Sequence, residues 1–286
     1  MPRACIDVGS NTTRLLVADV VGGALRPLLN ERAFTRIGGA SEGGAIPAWK
    51  VRETAEVVAS YAALAREHGC SETVVVATAA VREASNRAEL VREVDTLARV
   101  GMRVLSAGEE ARLAFAGATS MLSRDEHAPL VVVDVGGGST EVVAGTAAAG
   151  ATWSTSLAVG SGSLADNLLC SDPPLEAELR AVRRRVAEAL SGLAPPRARR
   201  ALAVGGSATS LARLVGSELG AAQLEGALRV LAADPLHVLA ERLDLDPERV
   251  RLLRAGVPLL EALSRRIGLP LEIGAGGLRE GVILHL

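Results

Sequence analysis

The sequence is poor in lysine and in aromatic residues. Lys50 is its only lysine, and aromatic side chains make up 2% of the 286 residues, so alanine, valine and leucine must fill the core. A phosphate-binding P-loop needs a lysine directly after its glycines, and no glycine turn of this chain has one. A phosphate site here must therefore depend on backbone amides, arginine and a metal ion.

Paired cysteines, long apolar runs and a basic excess are missing as well. Cys5, Cys70 and Cys170 are odd in number and far apart, which indicates a reducing compartment and no structural zinc. No apolar run approaches the roughly 20 residues that span a bilayer, and no N-terminal signal pattern is present. We therefore expect a cytoplasmic protein that does not bind a membrane. The net charge of −2 argues against a nucleic-acid partner.

Short apolar strands alternate with amphipathic helices along the chain, which is typical of α/β folds. The predicted strands span residues 3–8, 14–20, 73–78, 102–105, 130–135, 140–143, 152–159, 201–204 and 271–273. The predicted helices span 48–67, 86–100 with a capping-box-like start at Asn86, 109–122, 173–190, and 234–267 with an interruption near 244–247; two more follow the glycine turns near 205 and 277.

The most informative feature is an internal repeat. Residues 7–13 read Asp-Val-Gly-Ser-Asn-Thr-Thr and residues 134–140 read Asp-Val-Gly-Gly-Gly-Ser-Thr, each between two apolar strands. Glycine-rich hairpins are common, but two copies favour two like-folded domains that share a phosphate site. We place the domains at 1–127 and 128–286, and the terminal helix could pack back on the first domain.

Four glycine-containing turns could hold phosphate, at 9–13, 136–140, 205–209 and 274–277. Glycine lets the backbone approach an anion, and successive N–H groups can then point into one concavity. The last two turns precede helices, whose N-termini are electropositive, although ordinary strand-to-helix connections look the same. The candidate phosphate-binding turn residues are Ser10, Asn11, Thr12, Gly136, Gly137, Gly138, Ser139, Thr140, Gly205, Gly206 and Ser207.

Acidic side chains beside these turns are candidates for a metal site and a general base. Asp7 and Asp134 end equivalent strands, where a carboxylate can hold a water-coordinated Mg²⁺ or simply brace the turn. Glu141, or a glutamate of the pair 109–110, could deprotonate an attacking water. Glutamate is also common in the first turn of a helix, so the residues alone leave both interpretations open.

Two arginines lie where the backbone leaves a predicted sheet. Arg14 follows the first turn and Arg82 follows the strand at 73–78. Both could clamp a phosphate with two hydrogen bonds, or could be surface arginines of an arginine-rich chain.

The four histidines are isolated, so they suggest neither a metal site nor a catalytic triad. The arginine run at 183–185 is most simply a solvated helix face.

Taken in order, these motifs resemble the exopolyphosphatase/guanosine pentaphosphate phosphatase family (Ppx/GppA). The resemblance covers nearly the whole chain. Its markers are Asp7–Arg14, Ala77–Arg82 with Asn86, Ser106–Arg112, Asp134–Glu141, Val204–Thr209 and Gly277–Gly281. Gly-Glu-Glu-Ala-Arg followed by Asp-x-Gly-Gly-Gly-Ser-Thr-Glu is the most specific pair.

The resemblance implies the actin-like ATPase fold, of the ASKHA and ribonuclease H-like type, with two similar α/β domains facing an interdomain cleft. It implies Glu110 as the catalytic base, Glu141 as the second essential carboxylate and Asp134 as the magnesium-linked aspartate. Arg14 and Arg82 then resemble the phosphate-clamping arginines. We expect Mg²⁺ as the cofactor, with Mn²⁺ as the alternative ion, and a homodimer as the assembly.

The expected activity is exopolyphosphatase: hydrolysis of the terminal bond of polyphosphate, with short chains preferred. Two alternatives stay open, namely removal of the 5′ phosphate of guanosine pentaphosphate (pppGpp) and a non-hydrolytic regulator that binds (p)ppGpp or polyphosphate. (p)ppGpp is also a possible inhibitor. A sugar or acid kinase of the same superfamily is disfavoured, because the Glu-Glu-Ala-Arg motif belongs to the phosphatases.

The chain departs from the family pattern at three places. It resembles the short, two-domain forms without the C-terminal HD-like domain, which argues against processive action on long polymers. A glycine-rich segment replaces the usual Arg-Leu-Gly-Glu-Gly at 36–44, and Ser163 stands where an arginine is usual. We expect one anion contact to be lost and the substrate preference to change.

Overall fold

The computed structural model describes residues 1–41, 43–123 and 127–286, which form two compact units. The first unit comprises Met1–Met121 and Gly276–Leu286, and the second comprises Leu122–Ala275. Part of the predicted boundary segment at 123–127 and residue 42 of the 36–44 loop lie outside the described residues. The domain limits at 127 and 128 therefore stay a prediction.

The first unit is a five-stranded mixed sheet with helices on both faces. Its strand order is β3-β2-β1-β4-β5, with β1–β2–β3 antiparallel and β1, β4 and β5 parallel. The strands are β1 Arg3–Val8, β2 Thr13–Val21, β3 Ala24–Ala33, β4 Glu72–Ala77 and β5 Met102–Val104. The helices are α1 Ile37–Ala40, α2 Ala48–Glu67, α3 Ala79–Glu83, α4 Arg87–Ala98, α5 Ala107–Thr119 and, from the chain terminus, α12 Leu278–Leu284.

Strand alternation divides the core of this unit into two layers. Ala4, Ile6 and Val8 of β1 point to the face that α2 and α4 cover, whereas Cys5 points to the face that α5 and α12 cover. Because side chains alternate along a strand, Asp7 points to the same side as Cys5. The first candidate aspartate is therefore on the α5–α12 side of the sheet.

Helices α5 and α12 approach each other through glycine. A Cβ added at Gly117 would overlap the carbonyl oxygen of Gly277, and one added at Gly281 would overlap the carbonyl oxygen of Leu113. The two backbones can touch only because these positions lack side chains. This contact fixes α5, which carries Glu110 in its first turn.

The second unit repeats the same strand arrangement. Its sheet has the order β10-β11-β9-β6-β7-β8, with β6–β7–β8 antiparallel and β6, β9 and β11 parallel. The strands are β6 Leu130–Val135, β7 Thr140–Thr146, β8 Gly150–Leu157, β9 Arg200–Val204, β10 Glu218–Leu219 and β11 Leu271–Ile273. The helices are α6 Ser161–Leu168, α7 Glu176–Ala189, α8 Gly205–Val215, α9 Ala221–Ala233, α10 Leu236–Leu243 and α11 Pro247–Ile267.

Most predicted elements are confirmed, whereas strand β3 and the helices α1, α3, α6 and α9 were not predicted. Strand β3 is an edge strand exposed on both faces, so it has no alternating apolar pattern to detect. Asn86 does precede α4, but its side chain bonds the backbone of Ile46 instead of capping that helix. Every helix within the described residues is either too short or too polar to span a bilayer.

Candidate functional site

Both hairpin turns are closed by the same hydrogen bond. The Gly9 amide donates to the Thr12 carbonyl at 3.0 Å, and the Gly136 amide donates to the Ser139 carbonyl at 3.0 Å. A Cβ would lie 3.2 Å from the acceptor oxygen at Gly9 and 3.0 Å at Gly136. Glycine at the first turn position therefore permits the tight closure in both repeats.

Each turn is also held by the segment that follows the third strand of its sheet. The Gly38 amide donates to the Ser10 carbonyl at 2.8 Å, and the Ser163 amide donates to the Gly137 carbonyl at 2.8 Å. Both bonds use carbonyl oxygens of the turns and leave the amides of the turns unused. In the described chain, by contrast, no hydrogen bond from the amides of residues 137–139 is found. Those amides are available to an anion.

One predicted phosphate contact is placed differently. Thr140 is fully buried, and its hydroxyl donates to the carbonyl oxygen of Val159 at 2.7 Å. The equivalent Thr13 is also buried and its hydroxyl pairs with that of Thr35 at 3.0 Å. The side chain of Thr140 thus anchors the hairpin and is not presented to a ligand.

Asp7 and Arg14 are directly opposite each other in the β1–β2 register, so their side chains share one face. Asp7 Oδ1 is buried and has no hydrogen-bond partner among the described residues. Burial raises the pKa of Asp7 to about 6 from 3.8, opposed by the positive charges of Arg279 and Arg14. The structure thus holds a carboxylate oxygen that is costly to ionise without a cation.

Arg82 and Glu110 form an ion pair in the first unit. Nη1 of Arg82 donates to Glu110 Oε2 at 2.8 Å and to the Leu105 carbonyl at 2.9 Å. Glu110 is only 7% exposed. Arg82 lies in the last turn of the short helix α3, which begins beside the first turn, since the Thr78 amide donates to the Val8 carbonyl. The fold therefore brings a base candidate and a clamp candidate into direct contact.

The neighbouring Glu109 has a different task. Helix α5 begins at Ala107, two residues before the predicted start, and Ser106 is its N-cap. The Glu109 carboxylate accepts from the Ser106 amide at 3.0 Å, and the Glu109 amide donates to the Ser106 hydroxyl, which completes a capping box. The structure thereby assigns different contacts to the two glutamates that the sequence left as alternatives: Glu109 caps the helix and Glu110 pairs with Arg82.

In the second unit two acidic residues and a serine form a row across three strands. Asp134, Glu141 and Ser156 are opposite one another in the register of β6, β7 and β8. Glu141 is 2% exposed, and its Oε1 accepts a hydrogen bond from the Ser156 hydroxyl at 2.8 Å. Asp134 lies against Gly205, whose φ is +85° and where a Cβ would be 2.6 Å from Oδ1. Position 205 requires glycine for two reasons: its φ is in the left-handed region, and a side chain there would overlap the Asp134 carboxylate.

The glycines at 205 and 206 begin helix α8 rather than preceding it. The first N–H groups of a helix lack intrahelical partners and favour anions. Arg249, which is 5% exposed, lies against this turn, and a Cβ at Gly206 would be 2.5 Å from its Nη1. Ser207 Oγ is buried and has no hydrogen-bond partner among the described residues.

Sequence reasoning missed Arg249 and Ser156 as neighbours of the site residues. Ser156 could have been found by counting the strand register from Asp134, because the turn between β6 and β7 fixes which residues pair across β6, β7 and β8. Nothing in the spacing connects Arg249 with Gly206, because they meet only through the packing of α11 on α8. The fourth glycine turn is a structural connection: its Gly277 amide is occupied by the Glu280 carboxylate at 2.9 Å.

The acidic residues make no preassembled metal cage. Over the described ranges, no group of three His, Cys, Asp or Glu side chains could hold a metal ion. Mg²⁺ does not need such a group, because it usually binds one or two carboxylates and fills its other positions with water and substrate phosphate oxygens. The orphaned Oδ1 of Asp7 is compatible with that mode of binding.

Comparisons with known proteins agree with this architecture. The model of the Ppx/GppA phosphatase family matches residues 16–286. Exopolyphosphatase 2 of Mycobacterium tuberculosis is 32% identical, covering 99% of this chain and 98% of the relative. Exopolyphosphatase 1 of the same organism is 31% identical, covering 100% and 88%.

Among solved structures, the Aquifex aeolicus member of the Ppx/GppA family superposes with a TM-score of 0.82 at 27% identity, covering 100% of this chain and 97% of that one. An exopolyphosphatase from Cytophaga hutchinsonii, at 20% identity, shares the fold with a TM-score of 0.87, covering 99% and 96%. The predicted α/β actin-like fold is confirmed. Matched by the family model over residues 16–286 and by relatives along nearly its whole length, this chain belongs to the Ppx/GppA phosphatase family.

Proposed function

We propose that this protein is an exopolyphosphatase that hydrolyses the terminal phosphoanhydride bond of inorganic polyphosphate and requires Mg²⁺. The relatives named exopolyphosphatase support this substrate, since they align with the chain over nearly its full length. The observation that carries the proposal is the Arg82–Glu110 pair, a nearly buried carboxylate held at 2.8 Å by an arginine. Short chains are the preferred substrates in this proposal.

Glu110 is the general base. A base must be held within hydrogen-bond reach of the water it deprotonates, and the bond from Arg82 fixes this carboxylate in one orientation. As the water oxygen bonds to the terminal phosphorus, its proton passes to Glu110 and the bridging P–O bond breaks. The products are orthophosphate and a chain one phosphate shorter, and Glu110 then returns its proton to solvent.

Backbone amides and arginines bind the polyanion. The amides of residues 137–139 and the first turn of α8 supply N–H donors, and Arg249 adds a positive charge beside that turn. Arg14 supplies a second charge in the first unit, on the face that carries Asp7. Donors that are already oriented stabilise the charge of the transferring phosphoryl group without reorganising during the reaction.

Asp7 and Asp134 are the candidate Mg²⁺ ligands. The buried, unpaired Oδ1 of Asp7 supports this assignment, and Asp134 occupies the equivalent place in the second repeat. A bound Mg²⁺ would neutralise charge on the phosphate oxygens. Either aspartate would orient such an ion through water, consistent with the few protein ligands that this ion needs. A cytoplasmic location and a homodimer complete the proposal.

The test is phosphate release from a ladder of polyphosphate lengths, with pppGpp assayed alongside. We expect Mg²⁺-dependent release that is fastest on short polyphosphates. If pppGpp is turned over faster than polyphosphate, pppGpp is the substrate instead. If the protein binds both compounds tightly and releases no phosphate from either, it is a regulator.

Adjacent glutamates provide a matched control for the base. Glu110→Gln should lower turnover by about 10²–10⁴-fold, the usual contribution of a general base, with an unchanged thermal midpoint. Glu109→Gln changes the same charge one residue away, in the capping box, and should retain most of the activity. Near-normal release by Glu110→Gln would refute the assignment.

A further inference from the structure

The first turn of helix α6 packs directly on the turn between β6 and β7. The Ser161 amide donates to the Gly136 carbonyl at 2.9 Å. A Cβ added at Gly160 would lie 2.6 Å from the carbonyl oxygen of Gly137, so backbone meets backbone here. A movement of α6 must therefore move the amides of residues 137–139, which are anion donors in the proposed function.

Helix α6 depends on its surroundings for its orientation. It comprises only Ser161–Leu168, and helices this short are marginal by themselves. Leu164 is buried and packs on the core of the unit. In the last turn of α6, Oδ1 of Asp166 lies 2.8 Å from Nη1 of Arg251 on α11, and both side chains are mostly buried. This ion pair ties the end of α6 to α11.

A second carboxylate holds Arg251 in one orientation. Its Nε donates to Glu248 Oε2 at 2.9 Å, and its Nη2 donates to Glu248 Oε1 at 2.7 Å. A two-pronged bond between arginine and a carboxylate has a defined geometry, and it leaves Nη1 directed at Asp166. The guanidinium is therefore a rigid link between the start of α11 and the end of α6.

Helix α11 also contacts the second anion-binding turn, at the start of α8. Arg249 lies against Gly206 in the first turn of α8. Further along α11, a Cβ added at Gly256 would lie 2.8 Å from Ser207 Oγ and 3.5 Å from the Cβ of Ser161. Helices α6, α8 and α11 thus meet at this glycine. One helix braces both sets of N–H donors in the second unit.

We infer that Arg251 is a positioning residue for phosphate binding. Through Asp166 it fixes α6, and thereby the spacing between the amides of residues 137–139 and the donors at the start of α8. The inference rests on the proposed function, in which both sets of donors bind phosphates of the substrate. Arg251 itself contacts no phosphate, because two carboxylates occupy its guanidinium. Misplaced donors bind less well even when the change is remote from them.

The test separates KM from kcat in the hydrolysis of tripolyphosphate. Arg251→Gln removes the link, and we expect KM to rise by about tenfold. The kcat should stay within about threefold, because weaker binding of ground state and transition state alike raises KM alone. A residue that only stabilised the fold would lower the thermal midpoint and the active fraction, and so kcat, and would leave KM unchanged.

The partner and a second ion pair supply the controls. Asp166→Asn should raise KM as well, and the double variant should be no worse than Arg251→Gln, since the two side chains act as one unit. Asp166→Glu keeps the charge and should restore most of the affinity. Arg200 and Glu272 form an ion pair at 2.8 Å between β9 and β11, and Arg200→Gln should leave KM within about twofold.

Calorimetric titration with tripolyphosphate, with EDTA in place of Mg²⁺, reads binding without turnover. If the wild type hydrolyses neither polyphosphate nor pppGpp, but Arg251→Gln binds tripolyphosphate more weakly than the wild type, the proposed function is refuted and the inference stands. If the wild type releases phosphate but Arg251→Gln has the same KM and affinity, the inference is overturned and the proposed function stands. Fully additive effects of Arg251→Gln and Asp166→Asn, or an equal loss in Arg200→Gln, would overturn the inference as well.

Discussion

The buried carboxyl of Asp7 predicts an opposition between stability and function. Burial raises the pKa of Asp7 to about 6 from 3.8, and its Oδ1 has no hydrogen-bond partner in the described part of the chain. A group with a raised folded-state pKa prefers to be neutral. Asp7→Asn supplies a permanently neutral side chain of the same shape, so we expect this variant to be more stable than the wild type at neutral pH.

The magnitude follows from proton linkage. Each pKa unit corresponds to about 1.4 kcal/mol, so a rise of about two units limits the effect to about 3 kcal/mol. The Oδ1 atom of Asp7 is buried but the residue as a whole is partly exposed, and solvent screening of the exposed part lowers the expected gain to roughly 1–3 kcal/mol. The wild-type penalty is absent below pH 3.8, grows as Asp7 ionises in the unfolded chain, and reaches its full value above about pH 6.

Urea unfolding from pH 4 to 8, in EDTA, measures this difference. The stability of the wild type should fall relative to Asp7→Asn as the pH rises from about 4 to 6. Asp19→Asn is the control, since Asp19 lies on the same sheet in a surface ion pair with Arg26. If Asp7→Asn matches the wild type throughout, or is less stable at pH 8, the buried-carboxylate reasoning fails.

Magnesium adds a second readout to the same pair of proteins. A ligand that binds only the native state stabilises it by mass action. If Asp7 helps to hold Mg²⁺, adding the ion should stabilise the wild type more than Asp7→Asn, and the variant should release phosphate slowly at every Mg²⁺ concentration. Equal stabilisation of both proteins would remove Asp7 from the proposed metal site.

Three further predictions concern the glycine contacts and the ion pair. Gly281→Ala should destabilise the protein by about 1–3 kcal/mol through overpacking, whereas Gly108→Ala, in open space on α5, should be neutral or stabilising in thermal unfolding. Gly205→Ala should lower both stability and phosphate release because its φ is +85°, while Gly226→Ala, which meets no neighbour, should change neither by much. Arg82→Lys keeps the charge but loses the paired geometry, so turnover should fall at least about tenfold with little change in the thermal midpoint; wild-type turnover would contradict the clamp.

Local pattern was enough to predict the repeated hairpin. Apolar runs predict β1, β2, β6 and β7, and the glycines between them predict tight turns, because only neighbouring residues determine that geometry. The same reasoning missed the buried, structural use of the Thr140 hydroxyl. Its partner, the carbonyl of Val159, comes from the segment after β8, and that contact is not local in sequence.

Glu109 and Glu110 show the same limit at one helix turn. Adjacent glutamates have the same local propensity, so the residues alone could not divide their roles, and only the family resemblance favoured Glu110. The structure distinguishes them because α5 begins at Ala107, which turns Glu109 back to cap Ser106 and directs Glu110 to Arg82.

The sequence by itself determined the α/β class, the two-fold repeat and the family, since each depends on short motifs or on periodicity within a strand or helix. Tertiary structure alone decided that Arg82 holds Glu110, that Arg249 lies on the first turn of α8, and that Arg251 joins α11 to α6. The reason is physical: these pairs are separated by tens of residues, and only the packing of helices on the sheets and on one another sets the distance between them.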